Sequence, residues 1–155
     1  MKIYNVSSKK IIGIAILVLI LIVLFSIAIN LIKSTVAIEM TTDNYTNILK
    51  DCHKNPYNYV DKKIKTSGYI YRNTDFSESQ FVIARDMLIN KNESQVVGFL
   101  CEYEDIKEFE NNVWVCAEGT ISIGDYYGAI PIIKVSHIQR ITTPNDTFVN
   151  LPSDE

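Results

Sequence analysis

Acidic residues are missing from the first 38 positions: all 18 Asp and Glu lie from Glu39 onward, and Lys2, Lys9, Lys10 and Lys33 are the only charged residues before it. Histidine is scarce, with two copies, and so are tryptophan, with one, and cysteine, with three. No C-x-x-C, H-E-x-x-H, G-x-S-x-G or glycine-rich phosphate loop occurs. The chain therefore has no motif for a redox dithiol, a zinc peptidase, a serine hydrolase or a nucleotide-phosphate cradle. Three cysteines permit at most one internal disulfide. Beyond Lys33 the chain carries 11 Lys and Arg against 18 Asp and Glu, a net charge of -7. Such a surface argues against nucleic acid as a partner, because phosphates are neutralised by a basic one.

What is abundant is apolar residues in one block. Residues 11–32, IIGIAILVLILIVLFSIAINLI, contain no charge, and their only polar side chains are Ser26 and Asn30. As a helix this stretch is about 33 Å long, against roughly 30 Å of bilayer hydrocarbon. It predicts one transmembrane helix, in contact with membrane lipid over residues 11–32. Three lysines before it and one after it predict a cytoplasmic N-terminus at 1–10 and an extracytoplasmic C-terminal domain. A signal peptide cleaved after Ala37 is the competing reading, although its apolar core would be shorter than this one.

Residues 33–41 have no clear period and read as a linker. From Thr42 the pattern changes: Thr42 or Asp43 is a candidate helix cap, Tyr45, Ile48, Leu49 and Cys52 recur at helical spacing, and Asn55-Pro56 ends the run. Alternation then predicts five strands. The first is Lys63–Tyr71, with Ile64, Thr66, Gly68 and Ile70 on one face and Gly68 a candidate bulge or bend. Phe81–Leu88 and Val96–Tyr103 follow, separated by a polar loop at Asn90–Ser94. A helical turn within Glu104–Asn112 precedes the fourth strand, in which Val113, Val115, Ala117, Gly119, Ile121 and Ile123 share a face. Gly124–Gly128 turns the chain into a fifth strand, Ile130–Ile141. The tail from Thr142 reads as loosely held. Five strands with a short helix between the third and fourth predict a mainly β domain over 42–149, an OB-like barrel with an open five-stranded sheet as the alternative, and a tail at 150–155.

Asn55-Pro56, Tyr59-Val60, Lys62-Lys63-Ile64, Ser67-Gly68-Tyr69-Ile70-Tyr71-Arg72, Gln80-Phe81-Val82-Ile83-Ala84-Arg85, Val97-Gly98-Phe99, Trp114-Val115, Glu118-Gly119-Thr120, Ile130-Pro131 and Pro144 form an ordered string over roughly residues 44–149. That string resembles the C-terminal domain of the YcgQ-type bacterial family, described as subunits of a two-component membrane permease and of unknown function. The resemblance implies an extracytoplasmic module beside a larger multi-pass membrane protein in a bacterial cell membrane, and no established chemistry. Family members usually have more membrane segments ahead of this domain. They also have a neighbouring cysteine pair soon after the matching arginine, where this chain reads Asp86-Met87-Leu88-Ile89-Asn90-Lys91-Asn92-Glu93. No metal or redox role transfers from that pair.

No catalytic residues, cofactor-binding residues or metal ligands are assigned, and the chain reads as a non-enzyme without cofactor. Cys52-His53 and distant His137 lack the close pairing of structural zinc. Cys101 and Cys116 lie on consecutive predicted strands, as a disulfide would need, yet alternation sends Cys116 away from its strand's apolar face. Glu102, Glu104, Asp105, Glu108 and Glu110 around Lys107 do not follow a calcium-loop pattern and read as a solvated face. The candidate interaction surface is aromatic: Tyr69, Tyr71, Trp114, Tyr126 and Tyr127. The leading expectation is a membrane-anchored interaction module serving as an accessory permease subunit. The alternative is an extracytoplasmic module that binds a glycan or a metal ion.

Overall fold

The computed structural model describes residues 8–126 and 128–153, with the side chains of residues 8–12 and 28–35 outside that description. The expected N-terminal segment at 1–10 therefore falls mostly outside the described residues, as do Tyr127 and the last two residues of the tail. The chain forms two units, Met1–Val36 and Ala37–Glu155.

The first unit is a helix, α1, Ser8–Thr35. Its described side chains run from Gly13 to Ile27, and the large apolar ones among them are all 48–69% exposed. Among the described residues no helix is long and apolar enough to cross a membrane. The expected transmembrane span over residues 11–32 is not shown by this fold.

The second unit is mainly β. In chain order it contains β1 (Ile38–Glu39), α2 (Tyr45–Lys54), a 3-10 turn (Pro56–Tyr59), β2 (Lys63–Tyr71), β3 (Gln80–Asn90), β4 (Glu93–Glu102), a second 3-10 turn (Ile106–Glu108), β5 (Trp114–Asp125), β6 (Ala129–Arg140) and β7 (Phe148–Val149). Strands β2 to β6 close into a barrel. Around it β2 pairs with β3, β3 with β4, β4 with β6, β6 with β5 and β5 again with β2, antiparallel everywhere except the parallel contact of Leu100–Glu102 with Ile132–Lys134.

Period-2 alternation decides which side chains fill this barrel. Ile64, Thr66 and Ile70 on β2 and Val115, Ala117 and Ile121 on β5 are buried, joined by Phe81 and Ile83 from β3, Phe99 and Cys101 from β4 and Ile133 from β6. Both facing assignments made for the first and fourth strands hold. Tyr45 and Cys52 on α2 are also buried, and Ile48 and Leu49 pack against the same core, so α2 has the expected amphipathic face.

Several local expectations are corrected. The residue preceding α2 is Asn44, not Thr42 or Asp43; its side chain makes no cap hydrogen bond to the helix and instead accepts from Thr41 N (2.7 Å) and donates to Glu39 O (3.1 Å). The expected polar loop at Asn90–Ser94 is a tight turn of Lys91 and Asn92, because β3 and β4 continue past the barrel as a two-stranded hairpin. Gly68 is not a bulge but a close approach: a Cβ there would lie 2.4 Å from Ala84 O, where β2 runs between β3 and β5. The barrel bulge is on β6 at Ser136, skipped between the pairs Glu118–His137 and Gly119–Val135, and its hydroxyl donates to Glu118 O (3.2 Å).

Part of the expected linker belongs to the sheet, since Ile38 and Glu39 pair in parallel with Ile64 and Lys65. The tail is held as well. Phe148 and Val149 pair with Asp86 and Met87 on β3, Val149 is buried, and Ser153 N donates to Asn47 Oδ1 (2.8 Å). Short segments of two residues carry no readable period, which is why neither strand was visible in the sequence.

Candidate interaction surface

Two of the five candidate aromatics meet. Tyr69 on β2 stands opposite Trp114 on β5, with ring centroids 6.1 Å apart at 65°, an edge-to-face contact. The Tyr69 hydroxyl donates to Asp86 Oδ1 (3.2 Å), and burial together with the Asp86 charge pushes its pKa up to about 12. Trp114 itself is 8% exposed. Tyr71, on the same face of β2 as Tyr69, is 41% exposed. Tyr126, at the β5–β6 turn, meets the Phe76 ring at 6.0 Å. Tyr127 lies outside the described residues.

The organising residue beside this cluster is Arg85, which alternation did not single out as a site. It is 3% exposed, with its guanidinium 5.1 Å from the Trp114 ring centroid and 5.7 Å from that of Tyr45. Its Nε donates to Thr147 O (3.1 Å), and its Nη2 donates to Asp146 O (2.9 Å) and Thr42 Oγ1 (3.2 Å). One cation thus ties the start of the α2 segment, the barrel and the tail together. The only signal for it in the sequence was a charge where β3 alternation called for an apolar residue.

Alpha-helix α2 is flanked by two hollows. A polar cleft of about 460 Å3 is lined by Asn47, Lys50, Asp51, Lys54, Tyr59 and Ser153 among others. Within it the Tyr59 hydroxyl donates to Asp51, which holds the Asp51 carboxyl below its ordinary range and pushes Tyr59 up to about 12. A shallower groove of about 380 Å3 runs between α2 and the β3–β4 hairpin, lined by Leu49, His53, Met87, Val96, Val97 and Pro152, with Lys50 on the wall shared with the cleft. Beside that groove Leu88, Ile89 and Val96 are exposed.

None of the three thiols is activated. Burial pushes the Cys52 and Cys101 thiols up to about 12 and raises that of Cys116. All three are free. Cys101 points into the barrel and Cys116 does not, so the disulfide considered between them does not form. Among the described residues no cluster of three or more His, Cys, Asp or Glu is placed to hold a metal. The acidic segment around Lys107 turns once over Ile106–Glu108, as expected, with Ile106 fully buried. Arg72 caps that turn by donating to Ile106 O and Phe109 O, and Arg140 donates to Glu108 O (2.7 Å).

The family model for the DUF1980 C-terminal domain matches residues 26–150. The chain belongs to that family. A relative from Streptococcus mutans serotype c, named "Putative two-component membrane permease complex subunit", is 22% identical over 120 residues. This chain spans 44% of that relative's length, and the match covers 76% of this chain. The family expected from the residue string is thereby shown. Among solved structures, two crystal forms of the mitochondrial single-stranded DNA binding protein Rim1 of S. cerevisiae align at 13% identity and a TM-score of 0.35, covering 54–55% of this chain and 97–98% of that one. A superposition at that score carries no weight for this chain.

Proposed function

We propose that this DUF1980 C-terminal domain protein is a membrane-anchored interaction module, displayed outside a bacterial cell and serving as an accessory subunit of a permease beside a multi-pass membrane protein. The observation that carries the reading is α1: its described apolar side chains are exposed all round the helix, a state that bilayer hydrocarbon satisfies and water does not. The uncharged run over residues 11–32 and the three lysines ahead of it support a single crossing with the N-terminus in the cytoplasm. The strand order around the barrel, with a 3-10 turn between its third and fourth strands, supports an OB-like module. The name of the Streptococcus relative supports a membrane-protein partner. In this reading the exposed aromatics Tyr71 and Tyr126 are contact surface, and the protein performs no catalysis.

Purification of the full chain from detergent-solubilised membranes of its own host tests this. A stoichiometric multi-pass partner supports the subunit reading. Recovery of the chain alone, under detergents that keep known membrane complexes intact, overturns it.

A further inference from the structure

The polar cleft and the apolar groove share one side of α2, and their common wall is Lys50 together with the consecutive residues Pro152 and Ser153. Lys50 Nζ donates to Ser153 O (3.3 Å), which holds the tail between the two hollows. On one side of that wall lie Lys50 and Lys54, one helical turn apart with Asn47 and Tyr59 nearby; on the other lie Leu49, Met87, Val96 and Val97. The cleft also holds the Asp51 carboxylate, which accepts from Tyr59 and Asn55 and so is turned toward them, and the two exposed lysines outnumber it: in a unit whose net charge is -7, the cleft beside the groove is locally cationic by one charge. Cations at the end of α2 suit the helix dipole. That role accounts for neither the groove nor the exposure of Leu88, Ile89 and Val96 beside it.

We propose that the paired hollows bind an anionic amphiphile, with its phosphate-bearing head group against Lys50 and Lys54 and one acyl chain along the groove toward Val96. The groove volume of about 380 Å3 is within the range of roughly 300–1,000 Å3 found for small-ligand sites. An anionic head complements the lysines, and a chain covers apolar surface that α2 and the hairpin leave open. The lipid source is the bilayer, and that part rests on the anchor reading of α1; only Val36 and Ala37 separate α1 from β1.

The test uses the full chain in nanodiscs of phosphatidylcholine, with and without phosphatidylglycerol, read by amide hydrogen exchange. Phosphatidylglycerol should slow exchange several-fold at Leu49–His53 and Val96–Gly98, whereas glycerol 3-phosphate added to phosphatidylcholine discs should not. The double variant Lys50→Gln, Lys54→Gln should lose the effect with exchange in Trp114–Ile123 unchanged, which shows that the barrel is intact. Val96→Glu, at an exposed position, should lose it too. Equal exchange in the two kinds of disc, or equal protection by glycerol 3-phosphate alone, overturns the amphiphile site. A chain that does not enter nanodiscs overturns the anchor reading instead. The site is then read with dihexanoyl-phosphatidylglycerol titrated against the same chain in solution, where the absence of protection at Leu49–His53 overturns it.

Discussion

The guanidinium of Arg85 stacks 5.1 Å from the ring centroid of Trp114, and among the described residues no carboxylate forms an ion pair with it. Its charge is balanced by two tail carbonyls, the Thr42 hydroxyl and the faces of Trp114 and Tyr45, with the Asp146 carboxylate attracting it from beyond ion-pair distance. Burial lowers its pKa from the ordinary value. Arg85→Met keeps the stem and removes the donors. Hydrogen bonds to charged groups contribute about 1.5–3 kcal/mol, so a loss of about 2–3 kcal/mol is expected, together with faster exchange at Phe148 and Val149. Urea unfolding and hydrogen exchange measure both. Unchanged tail protection would show that β7 holds without the arginine.

The inward face of β5 supplies a sharper contrast. Val115 is fully buried, whereas Glu118 is exposed and pairs with Lys65 at 3.4 Å. Val115→Asp places an unpaired charge in the barrel and should unfold a domain whose total stability is about 5–15 kcal/mol. Glu118→Lys exchanges an exposed ion pair for two exposed lysines across the strand, a small effect beside a buried charge. Circular dichroism melts of the two variants separate them, and similar melting points would refute the facing of β5.

The barrel was legible because β2 and β5 repeat every two residues over nine and twelve positions, enough for Ile64, Thr66, Ile70, Val115 and Ala117 to declare one face. The two-residue strands Ile38–Glu39 and Phe148–Val149 offer no period, and their pairing is set by backbone groups and by Arg85, which local pattern does not encode. Tyr69 and Trp114 were read as surface. Alternation did place them on the outer face, but it could not show that they cover one another or that Asp86 accepts the Tyr69 hydroxyl. The two hollows beside α2 were invisible for a similar reason: Lys50 and Lys54 form a helix-surface pair in the sequence, and the opposing wall comes from Val96 and Pro152, far away along the chain.

Alkaline pH should destabilise the domain over a definable window. Cys52, Cys101, Tyr59 and Tyr69 all have folded pKa values raised to about 12, above the unfolded values of about 9 for the thiols and 10 for the phenols. The folded state therefore binds these protons more tightly, so stability is fully present below pH 9 and declines as pH rises from 9 to 12. Urea midpoints at pH 7, 9 and 11 measure this. In the folded state at pH 8, Cys52 and Cys101 should react with Ellman's reagent far more slowly than Cys116, which is partly exposed. Equal rates for the three thiols would place them in similar surroundings and contradict the fold.

Topology is checked by proteolysis. Protease added to intact spheroplasts should remove the unit Ala37–Glu155, and alkaline washing should leave the undigested chain with the membranes. Protection from protease would reverse the proposed orientation. Release of the domain by the wash alone would indicate cleavage after Ala37.

Single-stranded nucleic acid should not bind this domain, although barrels with exposed aromatics bind it elsewhere. A stacking platform needs free ring faces beside a basic groove. Here the Tyr69 ring is engaged by Trp114 and its hydroxyl by Asp86, while the unit around them carries 18 acids against 11 bases. The lysines beside α2 are two, too few to offset that field along a strand of phosphates. Fluorescence anisotropy with a labelled oligothymidine at low salt, where attraction is strongest, should show no binding tighter than the high micromolar range. Salt-sensitive binding that Tyr71→Ala abolishes would make this face a stacking surface; binding abolished instead by Lys50→Gln with Lys54→Gln would assign the phosphates to the cleft beside α2 and remove the need for an acyl chain in the groove.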